Sequence, residues 1–385
     1  MHENGEAPTL AVEIPTSPAH PVELRPFRGV RLSPQKVANP ATARAFARPY
    51  RDVAGRLSRW QDEGFVEIDH EPALYLHEYS VHGMTIRGLV GGLQLSTRAA
   101  SEEERSVFAH EAIHPEQADE LAARMHEMGI NPAPILLVHR GPESVREVQR
   151  QVMAQTPDHA YTDRSGQDHR LWRITSPDHL TVIAEGLAGG RFMIADGHHR
   201  YAAYLRLQER HPGTPWDRGL TMVVDQDDTP FFLGPIHRTF KRRSLQALKT
   251  AAEAIGTTAR EMPEADALRQ LGPRAMVATD GHRWMVLDLP QDPDLSAVEF
   301  LHQQLLPSAG SDDVFFHHTV EEAINAATAS YSSVLLPAPD YSLLDRAMDL
   351  GELLPEKATS FQPKPSLGVL MRSVDSELMA PPAAS

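Results

Sequence analysis

Between residues 117 and 224 short apolar runs alternate with stretches of helical period, a pattern that confines the chain to helices packed on a sheet. Residues 117 to 128 and 142 to 153 repeat apolar positions every three to four residues, and the apolar run Ile135 to Val138 separates them. Leu171 to Ile174, Phe192 to Ala195 and Leu220 to Val224 read as further strands, with a helix from His198 to Arg210. Upstream, residues 73 to 79 and 85 to 95 alternate as a hairpin through His82-Gly83, and Ser101 with Glu104 predicts a capped helix start. Downstream, residues 244 to 255, 295 to 306 and 320 to 329 predict helices. Residues 275 to 278 and 284 to 289 flank the turn Asp280-Gly281, and 333 to 336 predict a last strand. The fold class is α/β in the broad sense that includes α+β.

A chain of 385 residues suggests two domains, with a boundary near residue 243 where the pattern changes. The expected organisation is a tail at 1–20, an α/β domain at 21–243, a second at 244–372 and a flexible tail at 373–385. A 41% hydrophobic fraction suffices for a core, and no run of eighteen apolar residues predicts a membrane span. The acidic start Met1-His2-Glu3 is unlike a signal peptide, and the chain has no cysteine, which excludes disulfides and thiolate chemistry. A reducing, cytoplasmic setting is the expectation. A net charge of −15 argues against nucleic acid as a partner, since the dense basic patch is confined to residues 237 to 243.

The segment from Arg191 to Tyr201 carries the most chemistry. An apolar strand runs into Asp196-Gly197, and His198, His199 and Arg200 open the next helix. Glycine permits the tight turn, and the free N–H groups of a first helical turn bind anions. Phosphate or carboxylate is the natural guest; a solvated strand–turn–helix junction is the plainer alternative. His110-Glu111 offers a carboxylate that could serve as general base. His169-Arg170 and His237-Arg238 add anion-binding pairs, while Lys357 and Lys364 could offer further phosphate contacts in segments that read first as solvated loops. His198 and His199 are adjacent and cannot share one helix face, and there is no P-loop, so zinc and a Walker-type nucleotide site are not expected. Mg²⁺ bridged by phosphates needs one or two carboxylates, which Asp196 and Glu111 could supply.

These residues carry a resemblance. Leu24-Arg25-Pro26-Phe27, Pro49-Tyr50, His110-Glu111, His169-Arg170-Leu171-Trp172, Asp196-Gly197-His198-His199-Arg200-Tyr201, His237-Arg238 and Pro363-Lys364 resemble, in order and spacing, the bacterial and archaeal family called domain of unknown function 1015. The departures are Arg51, Ala109, Thr319 and Ala358, where the family commonly has other residues. The Asp-Gly-x-His-Arg junction further resembles that of the ParB/sulfiredoxin superfamily, which includes free-serine kinases. That resemblance implies a mixed-sheet core with a C-terminal α/β extension and a nucleotide, ATP or ADP, as phosphoryl donor. It implies Glu111 as base, Asp196 as orienter of turn or metal, and His198, His199, Arg200, His169, Arg170, His237 and Arg238 around phosphates. Arg25 and His110 are the implied substrate contacts.

Three readings follow. The first is a nucleotide-dependent kinase making O-phosphoserine from free L-serine. The second is a phosphoserine or small-phosphate phosphatase with His198 or His199 as nucleophile or acid. The third is a non-catalytic ParB-like nucleotide-binding protein. The structural question that bears most on these readings is whether Glu111, His169, His199, Arg200 and His237 converge on one pocket; scattered positions would remove the catalytic readings.

Overall fold

The computed structural model describes residues 12–40, 42, 46, 53–290, 295–309 and 313–374, so Pro49, Tyr50, Arg51 and the extreme tails lie outside the described residues. Two compact units emerge. The first comprises residues 1–231 and 363–385, and the second, residues 232–362, is inserted between these halves.

In chain order the first unit contains β1 (Leu24–Arg25), β2 (Gly29–Leu32), α1 (Val53–Asp62), β3 (Val66–Ile68), β4 (Leu74–Val81), β5 (Met84–Gln94) and β6 (Val107–Phe108). There follow α2 (Pro115–Met128), β7 (Ile130–Asn131), β8 (Ile135–His139), α3 (Glu143–Met153), β9 (His159–Thr162), β10 (Asp168–Ile174) and α4 (Pro177–Ala188). The strand–helix unit β11 (Phe192–Asp196) and α5 (His198–Arg210) precedes β12 (Arg218–Asp225).

The main sheet runs β6-β11-β8-β12-β5-β4-β10-β9, with β1 on the free length of β5. It is mixed: β6–β11 and β8–β12 are parallel, and the other pairs are antiparallel. Central strands such as Ile135–His139 are buried along their whole length, which explains their unbroken apolar runs. Where β1 crosses β5, a Cβ on Gly91 would come within 2.5 Å of Leu24 Cγ, so only glycine allows the approach.

The second unit holds β13 (Phe232–Gly234), β14 (His237–Lys241), α6 (Leu245–Ala254), β15 (Ala259–Met262), α7 (Glu264–Gln270), β16 (Ala275–Thr279) and β17 (Trp284–Asp288). An irregular helix from Ala297 passes through a π-helical stretch at Phe300–Leu305. Then come β18 (Val314–His317), α8 (Val320–Ala326), β19 (Tyr331–Leu335), α9 (Tyr341–Leu350) and β20 (Ser360–Gln362). Its antiparallel sheet is ordered β15-β17-β16-β19-β14-β18. Thr319 accepts from the Glu322 N–H in a capping box, so threonine does there what an aspartate would do.

Most expected elements form, with three differences. Ser101 to Glu104 is a turn, because the Glu104 carboxylate reaches back to the Ala100 N–H and Arg105 at once pairs with Ala19. The compositional break at 243 falls inside the second unit, since His237–Lys241 is an inner strand of its sheet. The expected tails are partly built in: Glu13 bridges Ile113, and β21 (Met371–Ser373) pairs with β2 and β7.

Through β21 the chain returns to the first unit and closes it. Arg372 is fully buried, donating to Asn131 Oδ1 at 2.9 Å, to the Arg218 carbonyl at 2.7 Å and to the Pro215 carbonyl. Arg372→Met should lower the unfolding free energy by about 3 kcal/mol, because buried acceptors lose a charged donor. Urea denaturation followed by tryptophan fluorescence checks this, and an unchanged midpoint would contradict it.

Candidate functional site

The strand β11 ends in Asp196, and Gly197 takes the left-handed conformation (φ 93°) that turns the chain into α5. Gly197 is the N-cap and makes no side-chain cap bond. A Cβ there would meet the Arg200 guanidinium at 2.9 Å and Ile135 at 3.1 Å, so glycine serves both the turn and the close packing. Arg200, one turn on, donates to Asp196 Oδ2 at 2.5 Å. The other carboxylate oxygen, Oδ1, accepts from Lys364 Nζ, delivered by the returning C-terminal segment.

Two histidine contacts dock the loop between β6 and α2 onto the start of α5. The His110 and His198 rings meet edge-to-face at 4.7 Å. The His114 and His199 rings stack at 5.9 Å, and His199 Nε2 accepts the His114 backbone N–H at 3.0 Å. That bond requires a lone pair on Nε2, so His199 is neutral with its proton on Nδ1. Glu111 rides on the docked loop, its Oε1 3.9 Å from His110 Nε2. Burial holds His110 down at about 4, so the imidazole beside Glu111 is uncharged at neutral pH.

His169 and Arg170 are neighbours in β10 and therefore point to opposite faces. His169 faces inward, where its Nε2 donates to Asp163 Oδ2 at 3.1 Å and its Nδ1 accepts from His77 Nε2 at 3.1 Å. Burial lowers the pKa of both imidazoles, against the pull of Asp163 on His169. Burial would raise the Asp163 carboxyl, but hydrogen bonds from Ser366, His169, Ser165 and Gln167 outweigh it and hold it at about 2. On the outer face Arg170 reaches Glu78 at 3.2 Å, in a polar cleft of about 680 Å³ shared with Arg87, Thr85 and Asp168.

His237 and Arg238 alternate in the same way within the second unit. His237 Nδ1 accepts the Leu336 N–H at 3.1 Å, and the buried Arg238 donates to the carbonyls of Ile236, Glu356 and Lys357. Arg25 is more than half exposed, pairs with Glu23 and borders a different hollow with Gln94, Thr214 and Asp217.

The structure thus brings together His110, Glu111, Asp196, Gly197, His198, His199 and Arg200. It does not place Arg170 and His169 on one face, both ring nitrogens of His169 are taken by Asp163 and His77, and His237 belongs to the second unit. Of the five residues expected to converge it gathers Glu111, His199 and Arg200. Sequence reasoning missed His114 and the placement of Lys364; the four-residue spacing of His110 and His114 and the prolines on both sides of Lys364 were the available signals. Among the described residues no group of three or more histidine or acidic side chains could hold a metal ion. Both oxygens of Asp196 are engaged by cations, so the residues do not fit a preformed magnesium site.

The chain belongs to the family of proteins of unknown function DUF1015, whose pattern it matches over residues 22–308. No curated protein matches it. Among solved structures it is similar to C-terminally truncated SbnI from Staphylococcus aureus, at 12% identity over 77% of this chain and 90% of that one (TM-score 0.44). It is similar to free serine kinase in complex with AMP at 16% identity, over 70% and 90% of the two chains (TM-score 0.38). A variant of free serine kinase in complex with ADP gives 15% identity over the same shares (TM-score 0.39). These likenesses are distant. No helix among the described residues is long and apolar enough to cross a membrane.

Buried neutral imidazoles make the first unit acid-sensitive. His110 and His139 are both held by burial at about 4 against an ordinary 6.5, with Asp225 partly opposing the shift at His139. Between these values the unfolded chain binds protons that the folded chain refuses, so stability falls as pH drops from 6.5 towards 4. Urea midpoints should decline steadily from pH 7 to about pH 4.5, with a shallower decline in His110→Gln; pH-independent midpoints would contradict the assignment.

Proposed function

We propose that this protein is a phosphotransferase that moves the terminal phosphoryl group of ATP or ADP to the hydroxyl of a small amino acid, most concretely free L-serine. One observation carries the reading. Arg200 and Lys364 both converge on the positive end of a thirteen-residue helix, where cations are electrostatically misplaced unless an anion belongs there. Asp196 balances only one of those two charges. The nucleotide donor and the serine acceptor come from the resemblance of the Asp-Gly-His-His-Arg junction to free-serine kinases.

In this reading the phosphate chain sits over the first turn of α5, against its N–H groups and the Arg200 guanidinium. The serine Oγ attacks the terminal phosphorus; its new O–P bond forms as the bond to the leaving nucleotide breaks, and the nucleotide oxygen keeps that electron pair. Glu111 accepts the hydroxyl proton, and the uncharged His110 beside it leaves that carboxylate basic. His110, His198 and His199 position the Glu111 loop. A cytoplasmic setting, where nucleotides and free serine are both present, belongs to the same reading. The phosphatase reading is less favoured, because His199 Nε2 is committed to the His114 N–H.

Purified protein incubated with Mg²⁺, L-serine and ATP or ADP should yield O-phosphoserine, read by mass spectrometry. Glu111→Gln should lower kcat by about 10²- to 10⁴-fold while nucleotide affinity changes little. No phosphoserine with either nucleotide would end the kinase reading, and phosphate released from phosphoserine without nucleotide would replace it with the phosphatase.

A further inference from the structure

The segment Pro363-Lys364-Pro365-Ser366 is held more firmly than the ion pair at its tip would require. The Tyr79 hydroxyl donates to the Pro363 carbonyl at 2.8 Å. Gln167, itself buried, brackets the next residues: its Nε2 donates to the Lys364 carbonyl at 3.1 Å, and its Oε1 accepts the Ser366 N–H at 3.0 Å. The turn that presents Gln167 is shaped by Asp163, whose Oδ1 accepts from the Ser165 N–H, the Ser165 hydroxyl and the Gln167 N–H. Prolines on both sides restrict Lys364 to extended backbone, which aims its side chain.

All of this order ends in one contact, Lys364 Nζ to Asp196 Oδ1, with the lysine side chain 44% exposed. An ion pair so open to water contributes little to stability. The location is also unfavourable for a cation that serves only the helix, since α5 presents its positive end there. A rigid backbone carrying a long, partly exposed lysine to an anion-binding turn is the arrangement of a phosphate ligand, with the carboxylate as its resting partner.

We propose that Lys364 is a phosphate-contacting residue of the nucleotide site, parked on Asp196 in the free protein and passed to the phosphate chain when nucleotide binds. Gln167 is its positioning residue. The inference rests on the phosphotransferase reading and adds to it a cation from 168 residues beyond Asp196. Transfer makes and breaks only ionic hydrogen bonds. Asp196 keeps Arg200, and the negative charge given up by Lys364 is replaced by that of the phosphate.

The test uses the full chain and compares wild type, Lys364→Met, Lys364→Arg and Gln167→Ala. ADP and ATP binding is read by calorimetry, phosphoserine formation by mass spectrometry. Lys364→Met should weaken nucleotide binding by about tenfold to a hundredfold, the effect of one charged hydrogen bond. It should lower kcat by about 10²- to 10³-fold with the KM for serine unchanged. Lys364→Arg should recover part of the affinity, and added ethylammonium should restore part of the Lys364→Met rate. Gln167→Ala should lower kcat without responding to ethylammonium, because its ammonium is present but misplaced.

Wild-type affinity and turnover in Lys364→Met would overturn the proposal and leave the kinase reading standing. If wild type binds nucleotide but makes no phosphoserine, the serine reading falls and the affinity ratio alone decides on Lys364. A wild type that binds neither nucleotide overturns both. Lys364 is a partly exposed side chain outside any core cluster, so its variants test function with the fold intact, which a matching thermal melt confirms.

Discussion

The carboxylate of Asp196 is the point at which separate stretches of the first unit are tied to one another. It closes β11, accepts from Arg200 across the first turn of α5, and accepts from Lys364 on the returning segment. Along the main sheet β8, β12 and β5 separate β11 from β4, yet the charge of Asp196 is felt at Tyr79 on β4. Burial is the larger reason that the Tyr79 hydroxyl resists ionisation, and Asp196 adds to it. The Pro363-Lys364 segment links the two, since the Tyr79 hydroxyl donates to the Pro363 carbonyl and Lys364 reaches Asp196.

Histidine does unexpected work in this arrangement. The imidazoles of His198 and His199 look from the sequence like phosphate ligands, and in the structure they contact His110 and His114 on the loop that carries Glu111. His169 joins Asp163 and His77 in a buried chain with both ring nitrogens engaged. Burial keeps such imidazoles neutral, and a neutral ring with one donor and one acceptor is a good connector between a carboxylate and a second ring. The positive charge around Asp196 is that of Arg200 and Lys364.

Legibility from sequence followed the range of the interactions. The helix His198–Arg210 and the strands at Ile135, Phe192 and Arg218 were readable because their period or unbroken apolarity reflects one face or two buried faces. The Ser101 to Glu104 segment was misread because a capping pattern specifies a helix only if enough chain follows, and here Arg105 is drawn at once into pairing. Adjacent pairs such as His169-Arg170 suggested a joint cradle, although strand alternation sends the two side chains to opposite faces once β10 is in the sheet.

From the residue order alone came the α/β class, the strand–turn–helix at Asp196, and the proposal of Glu111, Gly197 and Arg200 as site residues. These depend on local rules: period, turn stereochemistry and the free N–H groups of a helix start. Tertiary structure alone decided that Lys364 meets Asp196, that His110 and His114 dock on α5, and that residues 232–362 form a separate unit. The contacts join residues far apart in the chain and are set by where the returning segment packs on the first unit, and no local pattern encodes that.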